Sequence, residues 1–189
     1  MKEIIKKHIR EHELVLNSIE SLFEPIQKVA ELMSKCLKNN GAILWCGNGG
    51  SASDCQHLAG ELVGRFVGNR RPLKSISLNS DTAVMTCIVN DYGYEYIFSR
   101  QVEALGSSGD MLVGISTSGN SQNILNAFQV ANKIGMHTVG FLGKGGGKAS
   151  DLANDSIIVP SDTTARVQEI HILIGHIICD LIEEKLCLK

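Results

Sequence analysis

The chain has 189 residues, of which 43% are apolar, and its formal net charge is −2. This length suits one domain with a full core and is short for two. The absence of a global basic charge disfavours a nucleic-acid partner, and the basic cluster at 65–74 is interpreted as a solvated edge.

Two helices are predicted before the first strand. Residues 2–22 and 25–39 show helical apolar spacing, with Pro25 in a first turn and Asn39-Asn40-Gly41 as a stop. Strands then alternate with helices, which predicts an α/β fold with a parallel sheet covered on both faces. The predicted strands are 42–46, 73–78, 111–116, 137–142 and 156–159. The predicted helices run from the first glycine turn to about 66, onward from 81, over about 122–135 and over about 164–186, and 143–147 is predicted to be a loop.

The closing helix is apolar nearly all round, and the N-terminal helical pair has more apolar surface than one sheet can cover. A helix without a polar face must be buried, so these helices are expected to pack against copies of themselves. We therefore expect a single domain over 1–189, with the helical pair at about 2–39 used in oligomer packing.

The cysteines and the N-terminus favour a cytoplasmic protein. The six cysteines have no CxxC spacing, and four lie in apolar runs where a thiol packs as a small hydrophobe, which favours a reducing cytosol. Residues 1–8 alternate charged and apolar side chains, unlike a signal peptide. No stretch approaches the roughly 18 apolar residues of a membrane span. We expect no contact with a membrane.

Two turns rich in serine and glycine, 47–53 and 116–121, each follow a predicted strand and precede a predicted helix. Glycines let the backbone approach a ligand, helix-start amides donate to an anion, and hydroxyls complete the site. Both turns lie at the carboxyl edge of the sheet, where ligands bind in such folds. The first turn lacks the GxGxxG spacing and no P-loop Gly-Lys-Ser follows it, so a phosphorylated small molecule is favoured over a nucleotide. The alternative is two ordinary turns with serine caps.

Several polar residues could carry chemistry. His57 and Glu61 are four apart on one helix and share a face. Polar groups in an apolar helix are costly unless paired, so those of the closing helix should face a site or an interface. They are Gln168, Glu169, His171 and His176. A His–xxx–Glu spacing also occurs by chance, and Gln168 and His176 lie ~80° out of line on an ideal helix, so spacing alone does not assemble a site.

Five segments, in this order, resemble one known family. They are CGNGGSAS, QHLAGELVGRF, VNDYGYEYIFSRQVEALG, GISTSGNS and RVQEIHILIGHIICDLIE, and they closely resemble the phosphoheptose isomerases of the sugar isomerase (SIS) domain superfamily. The resemblance runs from the first strand to the C-terminus. It implies a flavodoxin-like three-layer sandwich with a five-stranded parallel sheet, a homotetramer, and active sites at subunit contacts.

The resemblance also implies an activity. These enzymes convert sedoheptulose 7-phosphate to D-glycero-D-manno-heptose 7-phosphate through an enediol. This is the first step of bacterial ADP/GDP-heptose synthesis for cell-surface glycans such as lipopolysaccharide and capsule.

Residue by residue, the resemblance implies a substrate site, a zinc site and a catalytic pair. Glu61 is the expected base and His176 the expected acid. One zinc per subunit is expected on His57, Glu61, Gln168 and His176. The implied substrate-binding residues are Asn48, Gly49, Gly50, Ser51, Glu61, Asn90, Asp91, Ser116, Thr117, Ser118, Ser121 and Gln168.

One departure and one alternative accompany this assignment. Ala165 stands where relatives often carry an acidic residue, which affects the expected recognition of distal sugar hydroxyls. The alternative is a non-catalytic SIS-domain protein that binds a partner such as the replication initiator. His171 is expected to hydrogen-bond across an interface.

Overall fold

The computed structural model describes residues 1–188, so Lys189 of the expected 1–189 domain lies outside the described residues. It has one five-stranded parallel sheet with helices on both faces, in the order β2-β1-β3-β4-β5. The strands are β1 (Ile43–Gly47), β2 (Ser75–Ser77), β3 (Met111–Ser116), β4 (His137–Leu142) and β5 (Asp155–Ile158). The helices are α1 (Lys2–Asn17), α2 (Phe23–Lys38), α3 (Gly50–Val63), α4 (Thr82–Tyr92), α5 (Ser99–Leu105), α6 (Gln122–Ile134), α7 (Gly147–Leu152) and α8 (Thr164–Lys185). Short 3₁₀ turns lie at Ile19–Leu22, Tyr94–Tyr96 and Lys144–Gly146.

The strand order is flavodoxin-like and confirms the expected fold class. β1 and β3 lie at the centre and are buried throughout, with Ile43 opposite Met111 and Gly47 opposite Ile115. The chain leaves β1 towards one edge of the sheet and β3 towards the other. A crevice therefore opens between the carboxyl ends of these two strands, where both serine-rich turns begin.

Apolar side chains fill both faces of the sheet. On one face, Trp45 packs edge-on against Phe141, with ring centroids 6.3 Å apart, in a cluster shared with α2, α3 and α8. On the other face, Leu44 packs in a second cluster with Phe98, which directly precedes α5, and Phe128 of α6. Alternate residues of β1 thus enter different cores, as the period of a strand requires.

Predicted and observed elements differ in several places, and the helix predicted onward from 81 is divided into α4, a 3₁₀ turn and α5. The predicted helix over 2–22 ends at Asn17 and continues as a 3₁₀ turn, and β2 has only three of the six predicted residues. The predicted loop over 143–147 is a 3₁₀ turn that leads into α7, a helix that the sequence analysis missed. Lys144 and the three following glycines all have positive φ, so the glycine-rich sequence forms a tight turn before the helix starts.

A buried carboxylate joins α8 to the segment that follows α3. Glu183 on α8 is fully buried and accepts four hydrogen bonds. The donors are the backbone N–H groups of Phe66 (3.0 Å), Val67 (3.0 Å) and Gly68 (2.8 Å) and the Nε of Arg70 (2.8 Å). Burial by itself would raise the pKa of Glu183, but these donors outweigh it and lower the pKa to about 2. We call this arrangement the Glu183 clamp.

Arg70 extends the clamp to the end of α3. Its guanidinium donates to the carbonyl oxygens of Glu61 (2.7 Å) and Leu62 (2.7 Å). Carbonyl oxygens in the last turn of a helix have no N–H partner within the helix. The positive charge also opposes the negative end of the helix dipole. Only 1% of the Arg70 side chain is exposed, so the interpretation of 65–74 as a solvated edge is wrong at this residue.

α1 rests on α8 through polar contacts. α1, described in full, has no buried side chain. His12 Nδ1 lies 2.7 Å from Glu169 Oε2, and Arg166 donates to the His8 carbonyl oxygen and to Glu169. Apolar residues of α1, including Ile4 and Ile9, stay exposed. Among residues 1–188, no helix has the length and apolar character needed to cross a membrane.

We expect Glu183→Gln to lower the free energy of unfolding by about 3 kcal/mol, because it leaves the buried Arg70 guanidinium without a counter-charge. Urea unfolding at neutral pH and fixed protein concentration measures this. Glu103→Gln, which changes an exposed carboxylate on α5, is the matched control and should stay within about 0.5 kcal/mol of the unchanged chain.

The same comparison has a pH dependence. The folded pKa of Glu183, about 2, lies below its usual value of 4.5. The stabilisation is therefore complete above pH 4.5 and is lost as the pH falls towards 2, so the gap between the unchanged chain and Glu183→Gln should close over that range. A gap that is absent at neutral pH, or constant down to pH 2, would contradict the assignment.

Candidate active site

The first serine-rich turn connects β1 to α3. Gly49 has φ +58°, a conformation that side chains disfavour, and α3 starts at the next residue. Asn79 fixes the start of the turn, since its side chain bonds both the N–H (3.2 Å) and the carbonyl oxygen (2.9 Å) of Gly47. Gly50 leaves room for Gln168 of α8, because a Cβ there would lie 2.8 Å from Gln168 Nε2. Ser51 is buried in the first turn of α3.

The second turn connects β3 to α6 and is held by its own hydroxyls. Ser116 Oγ accepts the N–H of Gly119 at 3.1 Å and lies 3.3 Å from Ser121 Oγ. Thr117 and Ser118 between them are half-buried. The 3₁₀ turn that precedes α7 packs directly on this second serine-rich turn. A Cβ at Gly119 would collide with one of its backbone carbonyl oxygens. The hydroxyls and helix-start amides are of the kind that bind phosphate.

Three side chains join the two turns. Asn48 in the first turn and Asn123 at the start of α6 exchange two hydrogen bonds of 2.9 Å. Tyr94 Oη donates to Asn48 Oδ1 at 2.7 Å. The turns are thus fixed relative to each other by side chains, in addition to the sheet.

His57 and Glu61 on α3 meet His176 on α8. His57 Nε2 lies 2.9 Å from His176 Nε2 and 3.2 Å from Glu61 Oε1. One candidate ligand atom from each of the three lies within 4.8 Å of the others. His57 is exposed, and the other two are half-buried. The structure therefore brings together α3 and α8 residues that spacing alone could not combine.

This donor set fits a divalent metal. Two imidazole nitrogens that face each other at 2.9 Å need either a shared hydrogen or a cation between them. Two histidines and one carboxylate are a zinc ligand set that leaves a position open to substrate. Gln168 lies two helical turns before His176 on α8, with its amide against Gly50 at the start of α3.

The Glu183 clamp reaches this cluster through Phe66. The Phe66 ring stacks on the His176 ring with centroids 5.5 Å apart and an interplanar angle of 24°. The Phe66 backbone N–H is one of the donors to Glu183. The clamp therefore limits both the position of α3 relative to α8 and the orientation of the His176 imidazole.

Asn90 and Asp91 lie at the exposed end of α4, where Asn90 Nδ2 donates to Asp91 Oδ1 at 2.7 Å. The chain then turns back through Tyr94, which reaches the first turn.

His171 lies away from the cluster. Its Nε2 bonds the Leu142 carbonyl oxygen of its own chain at 3.1 Å, and burial lowers its pKa to about 4. The expected contact of His171 across an interface is therefore replaced by one within the chain.

The sequence analysis missed five residues that shape the site. Arg70 and Glu183 carried no signal, because a charged residue in a basic or amphipathic stretch is usually solvent-exposed. Phe66 carried none because a lone aromatic residue at the end of a helix has no distinctive pattern. Tyr94 and Asn123 lie close to segments that had been singled out in the sequence. For Asn123, the available clue was a polar side chain at the start of a helix that follows a glycine-containing turn. The five residues are Phe66, Arg70, Tyr94, Asn123 and Glu183.

Comparison with known proteins is consistent with this geometry. The family model for the SIS domain matches residues 7–143. The chain is 52% identical over 182 residues to a phosphoheptose isomerase of Helicobacter pylori, covering 96% of this chain and 95% of the relative. It is 50% identical over 184 residues to a phosphoheptose isomerase of Campylobacter jejuni, covering 97% and 99%.

A solved structure gives the same result. The phosphoheptose isomerase of Neisseria gonorrhoeae superposes with a TM-score of 0.92 at 44% identity, covering 97% of this chain and 98% of that one. The resemblance of the five sequence segments is thereby confirmed. The chain belongs to the SIS-domain family and, within it, to the phosphoheptose isomerases, and it is an isomerase.

Proposed function

We propose that this protein interconverts sedoheptulose 7-phosphate and D-glycero-D-manno-heptose 7-phosphate through an enediol. The observation that carries the proposal is the meeting of His57 and Glu61, on the helix that leaves the first serine-rich turn, with His176 of α8. The names of its relatives support a heptose phosphate as substrate. Because the chain is an isomerase, we do not adopt the non-catalytic alternative of binding the replication initiator.

The two turns bind the phosphate and the sugar. In the second turn, Ser116, Thr117, Ser118 and Ser121 offer hydroxyls to the phosphate, beside the amides at the start of α6. In the first turn, Asn48, Gly49, Gly50 and Ser51 approach the sugar. Asn90, Asp91 and Gln168 complete the substrate contacts, and the exposed position of Asn90 and Asp91 leaves them accessible to a ligand.

Glu61 and His176 move the proton. Glu61 removes a proton from C1 of the ketose, the C1–H electron pair forms the C1=C2 bond, and the carbonyl electrons move to the oxygen. His176 donates a proton to that oxygen. Glu61 then returns its proton to C2. The O1–H electron pair forms the aldehyde C1=O1 bond as the O1 proton passes to His176, which restores both groups. The two groups belong to different helices, α3 and α8, and we assign the base to one and the acid to the other.

Zinc, one ion per subunit, fits the residues present and would be held by His57, Glu61, Gln168 and His176. When bound, it would supply a Lewis acid that polarises the substrate oxygens in place of the proton from His176. The imidazoles of His57 and His176 already face each other, and the Glu183 clamp keeps α8 against α3.

In the cell, this reaction would be the first step of ADP/GDP-heptose synthesis for surface glycans such as lipopolysaccharide or capsule, in the cytoplasm. The chain would act as a homotetramer. A groove lined by apolar side chains between the 19–23 segment and α8 is open in the single chain, and Phe23 at its rim is 59% exposed. The groove and the exposed apolar residues of α1 are apolar surface that an interface between subunits would cover.

Replacing Glu61 by Gln should lower kcat by about 10²- to 10⁴-fold, because the amide cannot accept the C1 proton. Mass spectrometry of the heptose phosphates formed in deuterated water measures both turnover and exchange. The unchanged chain and the Glu103→Gln control should incorporate solvent deuterium at C2 of the product. A Glu61→Gln variant that keeps more than a tenth of wild-type turnover would show that another group is the base.

Purified protein should carry about one zinc per chain, and His57→Ala should lose it because the remaining ligands bind more weakly. Elemental analysis by mass spectrometry after gel filtration measures the content. His8→Ala, which removes an exposed histidine on α1, is the control and should retain the metal. Equal zinc in His57→Ala and the control would place the ion elsewhere.

Placing a charge in the apolar groove should dissociate the oligomer, because the carboxylate would be buried without a partner. Sedimentation velocity should give a tetramer for the unchanged chain and smaller species for Phe23→Glu. Lys133→Glu, on the exposed side of α6, should remain tetrameric. A chain that sediments as a monomer before any substitution would overturn the assembly proposal.

A further inference from the structure

The amide of Asn48 is held in one orientation. Asn48 Nδ2 donates to Asn123 Oδ1, and Asn123 Nδ2 donates back to Asn48 Oδ1, both at 2.9 Å. Asn123 is 2% exposed, so water does not compete for these bonds. A reciprocal amide pair alone would work equally well with both side chains rotated by 180°.

The backbone removes that ambiguity. The N–H of Ile124 donates to Asn123 Oδ1 at 3.0 Å. A backbone N–H can only donate, so the Asn123 atom that it meets must be the oxygen. The Asn48 atom facing that oxygen is then the nitrogen, and the other Asn48 atom is the oxygen. One backbone amide thus sets the orientation of both side chains.

Tyr94 completes the coordination of the Asn48 oxygen. Tyr94 Oη donates to Asn48 Oδ1 at 2.7 Å, beside the bond from Asn123 Nδ2. An amide oxygen has two lone pairs, and both are now used. The polar capacity that remains on Asn48 is the second hydrogen of Nδ2. Towards a ligand, Asn48 can therefore only donate.

We propose that Asn48 donates a hydrogen bond to the substrate oxygen that gains negative charge, and that Tyr94 and Asn123 are positioning residues for this donor. The inference rests on the proposed function. When Glu61 takes the C1 proton, the charge develops on the former carbonyl oxygen. A fixed N–H donor binds that oxygen more strongly in the enediolate than in the ketone, and such a difference accelerates the reaction.

Tyr94 allows a clean test. Its side chain is 52% exposed, so Tyr94→Phe removes one hydroxyl without opening the core. Tyr96→Phe removes a hydroxyl from a neighbouring tyrosine, 44% exposed, in the same 3₁₀ turn and serves as the matched control. Both variants and the unchanged chain would be assayed with sedoheptulose 7-phosphate. Inhibition constants would be measured for a sugar-phosphate hydroxamate, which mimics the enediolate, and for the reduced heptitol 7-phosphate, which has no carbonyl oxygen.

We expect Tyr94→Phe to lower kcat by about tenfold with KM within about twofold, the size of one lost hydrogen bond. The hydroxamate should bind about tenfold more weakly and the heptitol phosphate within about twofold of the unchanged chain. Tyr96→Phe should match the unchanged chain in all four quantities.

Two results for Tyr94→Phe would overturn the inference while the proposed function stands. One is kinetics and inhibition equal to those of Tyr96→Phe. The other is an equal loss of affinity for both inhibitors, which would mean uniform binding or a structural effect. Failure of the unchanged, zinc-supplemented chain to turn over sedoheptulose 7-phosphate would instead overturn the proposed function and the inference with it.

Discussion

The site depends on a buried carboxylate that never faces the crevice. Glu183 on α8 accepts three backbone N–H groups and the Arg70 Nε, and Arg70 in turn caps the end of α3. α3 (Gly50–Val63) and α8 (Thr164–Lys185) are distant in the sequence, and the clamp adds polar contacts to the apolar core that they share. A buried ion pair costs desolvation free energy, and its value here is geometric, since it fixes one register of two helices. His57 and Glu61 lie on one of these helices and His176 on the other, so their meeting depends on that register.

The sequence predicted the fold well because local patterns determine it. β3 and β4 have the predicted bounds 111–116 and 137–142, since buried parallel strands are short apolar runs between clear turns. β2 is an edge strand, and its pairing with β1 covers three residues, which hydrophobicity does not reveal. α7 was missed because the glycines before it, which predict a loop, turn the chain and allow the next helix to start.

Less of the candidate site than of the fold could be predicted from the sequence. The i, i+4 relation of His57 and Glu61 follows from helix geometry, but the contact of His57 with His176 spans 119 residues and depends on tertiary packing. Gln168 and His176 are two helical turns apart, and each meets a different part of α3. The network of Asn48, Tyr94 and Asn123 joins three separate segments, so no spacing rule could have found it. The family resemblance supplied roles for individual residues, and the structure supplied the contacts that could make those roles work.

The central structural claim is that the Glu183 clamp sets the distance between the histidines of α3 and α8. A crystal structure of Glu183→Gln, compared with one of the unchanged chain grown under the same conditions, tests it most directly. The account predicts that the segment around Phe66 moves away from α8 and that the separation of His57 Nε2 and His176 Nε2 increases from 2.9 Å. An unchanged separation, with Phe66 still stacked on His176, would contradict it.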